Sequence, residues 1–115
     1  MKVSISELGG KIIRDNETYI VEDNTFLNNL VLSKTTLHPN KETMGHSHAG
    51  LEEVYFFIKG SGKMLLKTET EETKLSVKSG DIVLIPDGAF HKVFNTDEGV
   101  TEDLEFVCVF QKYER

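Results

Sequence analysis

The sequence predicts an all-β fold, an antiparallel sandwich or barrel in a single domain. Three observations lead there. Apolar and β-branched residues recur in short runs. Turn residues separate those runs: Pro39-Asn40, Lys59-Gly60-Ser61-Gly62, Ser79-Gly80, Pro86-Asp87-Gly88 and Asn95 to Gly99. No segment sustains apolar residues at helical spacing. Many short strands between such turns favour a sandwich or barrel.

The elements follow in order. Residues 1–24 read as a lead-in to a barrel over residues 25–111. Val3 to Leu8 is the best helix candidate, and a poor one. Gly9-Gly10 breaks the chain, and Thr18 to Val21 can form a strand. Phe26 to Leu37 is rich in Leu, Val and Thr and reads as one long strand or two short ones. Further strands are expected at Glu42 to His48, Glu53 to Ile58, Gly62 to Lys67, Lys74 to Val77, Ile82 to Ile85, His91 to Asn95 and Leu104 to Gln111. Residues two apart share a strand face. Leu104, Phe106, Cys108 and Phe110 therefore form one core-like face, with Cys108 as a small hydrophobe.

Composition narrows the function. A chain of 115 residues suits one core. Its 13 basic and 19 acidic residues give a net charge of −6, with no Lys/Arg cluster to replace counterions on a nucleic-acid backbone. Nucleic acid is not an expected partner. Cys108 is the only cysteine, which excludes an intrachain disulfide and fits a reducing compartment. Residues 1–20 lack a signal-type apolar run, and no stretch has the length of a membrane span. The cytoplasm is the expected location, with no membrane partner.

The chemistry concentrates in Gly45-His46-Ser47-His48-Ala49-Gly50-Leu51-Glu52-Glu53. On one strand, His46 and His48 would project from the same face. A hairpin through Ala49-Gly50 would bring Glu53 alongside them. His91, after the Pro86-Asp87-Gly88 turn, offers a further donor and shares a face with Val93 and Asn95. Imidazole with carboxylate suits divalent iron, manganese, nickel, cobalt, copper or zinc. Taken alone, the His-x-His pair reads better as an exposed polar loop. His38, before Pro39, is expected to face solvent or cap a turn. Glu69, Glu71 and Glu72 read as a solvated hairpin tip. Asp97, Glu98, Glu102 and Asp103 mark a hydrophilic loop long enough to cover a cavity.

These residues resemble the motifs of the cupin superfamily. Its first motif runs Gly, five residues, His-x-His, three or four residues, Glu, six residues, Gly. Here His46, His48, Glu53 and Gly60 match, and Asn40 stands in place of the leading Gly. Asn is the next most tolerant residue of a left-handed backbone. In the second motif, Gly80, Pro86, Gly88, His91 and Asn95 match at every position. The resemblance spans residues 40–95. It implies a double-stranded β-helix, a squashed jelly-roll barrel, with a metal inside one end. It names His46, His48, Glu53 and His91 as ligands and gives Asn95 a structural role. The spacing to Gly60 selects Glu53 over Glu52, which faces the other way.

What the resemblance implies about function is broad, because cupins host many chemistries. Four protein ligands on an octahedral ion leave two positions for water, dioxygen or a bidentate substrate. The leading expectation is a small metal-dependent enzyme acting on a polar small metabolite. One candidate is a sugar-phosphate isomerase or epimerase, to which the runs Glu53-Val54-Tyr55 and Gly60-Ser61-Gly62-Lys63-Met64 are similar. Lys63 or Lys92 would then hold the phosphate. The other is a dioxygenase with a drier pocket around Tyr55, Phe57 and Phe90. Tyr55, Phe57 and Met44 are candidates for the pocket wall and equally for ordinary core, and Tyr55 and Lys63 are the candidate catalytic residues. The competing expectation is a non-catalytic small-molecule binding or sensing module. A homodimer is expected from family habit and from strands such as Val54 to Ile58, apolar on both faces.

Overall fold

The computed structural model describes residues 1–113, whose regular structure is entirely strand. The strands are β1 (Lys11–Asp15), β2 (Tyr19–Asn24), β3 (Leu30–Leu37), β4 (Lys41–Glu42), β5 (Glu53–Lys59), β6 (Ser61–Lys67), β7 (Glu72–Lys78), β8 (Ile82–Ile85), β9 (Phe90–Asn95) and β10 (Leu104–Gln111). They form a six-stranded sheet ordered β1-β2-β3-β10-β5-β8 and a four-stranded sheet ordered β4-β9-β6-β7. Every pairing is antiparallel. The jelly-roll expectation is met. No helix of the described residues is long and apolar enough to cross a membrane.

The period of two in the sequence becomes the two faces of each sheet. Along β3 and β9 buried and half-buried positions alternate. Inward residues from both sheets meet in one core that includes Leu37, Phe57, Met64, Val93, Leu104 and Phe106. Tyr55 stacks on Phe106 with ring centroids 5.1 Å apart, and Phe57 lies 5.3 Å from the same ring. Burying each of these aromatics contributes roughly 1.5–3 kcal/mol. Leu104, Leu37, Phe57 and Met64 fill the barrel at the end where Asn95 closes β9. The other end, where β9 begins and β5 begins, is left for polar side chains.

The N-terminal region is more regular than its sequence suggests. β1 and β2 pair with each other, and β2 pairs with β3, so residues 11–24 belong to the large sheet. Val3 to Leu8 is not helical. Ser4 and Glu7 exchange backbone hydrogen bonds of 3.2 and 3.1 Å, and Ser4 Oγ accepts a further bond from the Glu7 amide. Ser side chains favour such local turns over a helix start without caps. Leu8 is buried, and its carbonyl accepts a 2.6 Å bond from Asn24 Nδ2. The strand expected from Phe26 begins only at Leu30. Asn24 Oδ1 accepts from the Phe26 amide, an Asx turn that diverts the chain first.

The turns that carry the motif glycines behave as the residues require. Gly60, Gly80 and Gly88 all have positive φ. Asn40 has φ 65° and is the one non-glycine residue with positive φ among those described. Its amide donates to the Asn95 carbonyl at 2.7 Å, tying the turn to β9. Asn40→Gly is therefore expected to leave stability to urea nearly unchanged. Asn40→Val should lower it by about 1–2 kcal/mol, the strain of a β-branched residue in that region.

Candidate metal centre

Three of the expected donors converge. His46, Glu53 and His91 offer ligand atoms that all lie within 4.8 Å of one another. They do not come from a hairpin. Glu53 opens β5 in the large sheet, where it pairs with Ile85 and Phe110. His46 and His91 face each other across an isolated bridge beside the small sheet. The chain reaches His46 by running along β9, pairing Glu42 with Phe94. Between there and the His46–His91 bridge the register slips by one residue. Gly45 sits in that slip at φ 79°, and a Cβ there would meet the Phe90 ring at 2.6 Å. The slip turns His46 to the same side as His91.

The contacts around the donors fix their directions. Ala89 O can only accept, so His91 Nδ1 carries the proton and donates to it at 3.1 Å. His91 Nε2 is the nitrogen left to face Glu53, and in the neutral ring it is a lone pair. It lies 2.6 Å from Glu53 Oε2, yet both atoms are buried without a hydrogen bond among the described residues. His46 Nε2 stands 3.8 Å from the same oxygen. Two acceptors this close repel unless a cation, a metal ion or a proton on the imidazole, lies between them. The site loop is anchored from outside: the Gly50 amide donates to Asp87 Oδ1 at 2.6 Å, joining it to the Pro86–Gly88 turn. Asn95 is 1% exposed and its Nδ2 donates to Leu37 O and Glu102 O, a structural role.

His48 is close but outside this group. It lies in the loop after His46, not on a strand with it: pairing with β9 ends at the His46 bridge, and the chain turns at Ala49-Gly50. Its ring is 4.7 Å from that of His46. Its Nε2 lies 3.1 Å from the hydroxyl of Tyr113, whose ring packs on it at 4.5 Å. Glu53 is buried at 5% exposure while Glu52 is exposed, so the inward carboxylate is the one the motif spacing names. His38 does not simply face solvent: its Nδ1 is 3.1 Å from Asp103 Oδ1.

The site opens into a cavity of about 490 Å³. Its wall includes Thr35, Thr43, Met44, Tyr55 and Cys108. Tyr55 is a wall residue and a core residue at once. Burial above all, with Cys108 and Glu53 beside it, pushes its hydroxyl well above the ordinary tyrosine range, so it keeps its proton. Lys63 and Lys92 are elsewhere. They alternate with the inward Met64, His91 and Val93 and so lie on the outer face of the small sheet. Lys63 Nζ is 3.5 Å from Asp97, and Lys92 Nζ is 2.8 Å from Glu42. The loop of Asp97 to Asp103 lies at the Asn95 end and does not cover this cavity. Three residues that shape the site carry no motif: Gly45, Tyr113, and Arg14, which reaches the wall from β1. Only the glycine had a signal, as an invitation to irregular backbone.

The buried carboxylate makes stability depend on pH. Burial is the largest single influence on Glu53 and raises its pKa. The imidazoles of His46 and His91 together outweigh it and hold the group at about 2, below the ordinary 4.5. The folded value is the lower one, so the stabilisation is complete above pH 4.5 and is lost as pH falls towards 2. A shift of this size is worth on the order of 3 kcal/mol. Urea unfolding of metal-free protein between pH 5 and roughly 2 should show this loss, and Glu53→Gln should remove it from the slope.

Comparison with known proteins agrees with this architecture. A family model described as a cupin domain matches residues 33–110. A glucose-6-phosphate isomerase of Pyrococcus furiosus is 36% identical over 103 residues, 82% of this chain and 53% of its own length. That of Thermococcus litoralis is 34% identical over 91 residues, 71% of this chain and 48% of its own. The chain thus spans about half the length of these relatives. Among solved structures, a Bacillus subtilis oxalate decarboxylase variant superposes with a TM-score of 0.79 at 21% identity, over 93% of this chain and 29% of its own. Hazelnut vicilin does so with a TM-score of 0.75 at 23% identity, over 91% and 32%. The two-sheet barrel, the paired motifs and the match over residues 33–110 make this chain a member of the cupin family.

Proposed function

We propose that this cupin is a metal-dependent enzyme that isomerises a phosphorylated sugar, with His46, His48, Glu53 and His91 as the metal ligands. The observation that carries the metal is the approach of His91 Nε2 to Glu53 Oε2, two buried atoms with no hydrogen bond. A divalent ion held there supplies Lewis acidity to the hydroxyl and carbonyl oxygens of a sugar. The likeness to glucose-6-phosphate isomerases supports the reaction class.

The chain's own residues are suited to a polyol. Thr35 and Thr43 place hydroxyl-bearing side chains on the wall. Tyr55 keeps its proton and therefore serves as a donor, not as a base, near neutral pH. A dioxygenase pocket would need Tyr55, Phe57 and Phe90 together at the cavity, but only Tyr55 is on its wall. Phe57 is packed in the core, and Phe90 rests beside Gly45.

His48 joins the ligand set by exchanging Tyr113 for the metal at Nε2. His48→Ala should abolish tight metal binding, and Tyr113→Phe should tighten it severalfold by removing the competing hydroxyl. Metal analysis and titration check both. Metal-loaded protein should interconvert glucose 6-phosphate and fructose 6-phosphate, and stripping the metal should stop it. Metal binding without turnover of any sugar phosphate would favour a binding or sensing module.

We also infer a homodimer through the outer face of the large sheet. Ile82, Leu84 and Phe56 lie together there, exposed by 56, 69 and 36%. Val54 pairs with Leu84, and Val109 with Val54, which extends the apolar row across three strands. A patch of this kind marks an association surface. Sedimentation should give a dimer for the native chain and a folded monomer for Leu84→Asp.

A further inference from the structure

We propose that Arg14 determines the specificity of this cavity by reading an anionic group, phosphate or carboxylate, at the far end of a ligand whose other oxygens face His46, Glu53 and His91. The inference rests on the metal-dependent reading above and names the residue that takes the anion. Charge singles out Arg14. The chain carries a net −6, and Lys63 and Lys92 lie on the outer sheet face, each against an acidic residue. Arg14 is the only arginine among the described residues, and it lines the same cavity as the three converging donors.

A β-bulge carries Arg14 to the wall. β1 and β2 pair regularly up to Ile12↔Glu22 and resume at Arg14↔Val21, leaving Ile13 as an extra residue. Strict alternation would turn Ile13 and Arg14 to opposite faces. The bulge brings both to the cavity wall, together with Val21. Bulges re-aim side chains in this manner and gather beside functional sites.

The guanidinium forms no ion pair among the described residues, where Lys34, Lys59, Lys63, Lys78 and Lys92 each make one. Its Nη1 donates to the Ile13 carbonyl at 2.9 Å, which orients the side chain along the bulge. A planar fork with unused donors fits two oxygens of a phosphate or a carboxylate.

Spacing sets the ligand's length. β1 and β5 are four strand spacings apart in the sheet order, roughly 19 Å along the sheet and less across its curved interior. The arginine covers part of that distance. A ligand several bonds long covers the rest, as a phosphorylated or carboxylated sugar chain does. A two-carbon dianion does not reach both ends.

Calorimetry on metal-loaded protein tests this, with fructose 6-phosphate, gluconate, fructose and oxalate as probes. The native chain should bind fructose 6-phosphate or gluconate at least tenfold more tightly than fructose, and the preferred probe tells phosphate from carboxylate. Arg14→Gln should erase that preference, and Arg14→Lys should keep part of it. Metal content, melting temperature, and affinity for fructose and oxalate should not change in either variant. An anion preference that survives Arg14→Gln would overturn the proposal. So would a metal-loaded native chain that does not prefer the anions, and that result leaves the metal reading standing. A native chain that binds no metal would refute the metal reading and the role of Arg14 with it.

Discussion

The structure depends on one constraint: the carboxylate of Glu53 is buried, and something must meet its charge. An isolated buried carboxylate is costly enough that it neutralises or finds partners. The partners here are imidazoles from the other sheet. That requirement explains features that look unrelated in the sequence. The register slip at Gly45 presents His46. The Pro86–Gly88 turn delivers His91, and Ala89 O sets its tautomer. The Gly50–Asp87 bond ties the two loops together. Each is a local device, and all serve one point in space.

The same constraint divides the barrel. Polar groups are buried at the end of β9 that holds His91, and apolar packing dominates the other end. There Leu104, Leu37, Phe57 and Met64 close the space between the sheets. Along β9 the inward series runs His91, Val93, Asn95. Its first member is chemical, its second is packing, and its third is a backbone tie through Leu37 and Glu102. A strand of six residues thus spans from the site to the clamp that holds the opposite end. This is why the two motifs sit at fixed spacings: the period of two links chemistry and structure on one face.

Much of this was legible because it rests on local rules. Alternation and turn residues gave β8 and β10 to the residue, and Asn40 was read as tolerant of the φ it adopts. Motif spacing to Gly60 selected Glu53, and the face it shares with Tyr55 and Phe57 is the buried one. What stayed hidden depends on long-range geometry. The period of two says that Lys63 and Met64 face opposite ways, but not which of them faces the cavity. A slip of one residue before His46 cannot be seen in composition, so the His-x-His pair read as one strand face when only His46 is bridged to β9. Tyr113 meets His48 across 65 positions, and no spacing rule reaches that far.

The location of the unforeseen residues bears on how this fold diversifies. The match to the cupin domain covers residues 33–110, which holds His46, His48, Glu53 and His91. Arg14, Ile13, Tyr19 and Val21 come before it, and Tyr113 comes after, yet all of them line the cavity. The shared core therefore supplies the donors and much of the wall, among it Thr35, Tyr55 and Cys108, and the flanks supply the rest. Strands β1 and β2 extend the large sheet past β3, so their inward side chains close the cavity without disturbing the strands that position the donors. Changes in such flanks can alter what the cavity admits at little cost to the core, whereas changes in the core strands move the donors themselves. The division leaves the donor geometry intact while the wall varies, and the selectivity proposed for Arg14 falls in the segment that precedes the family match.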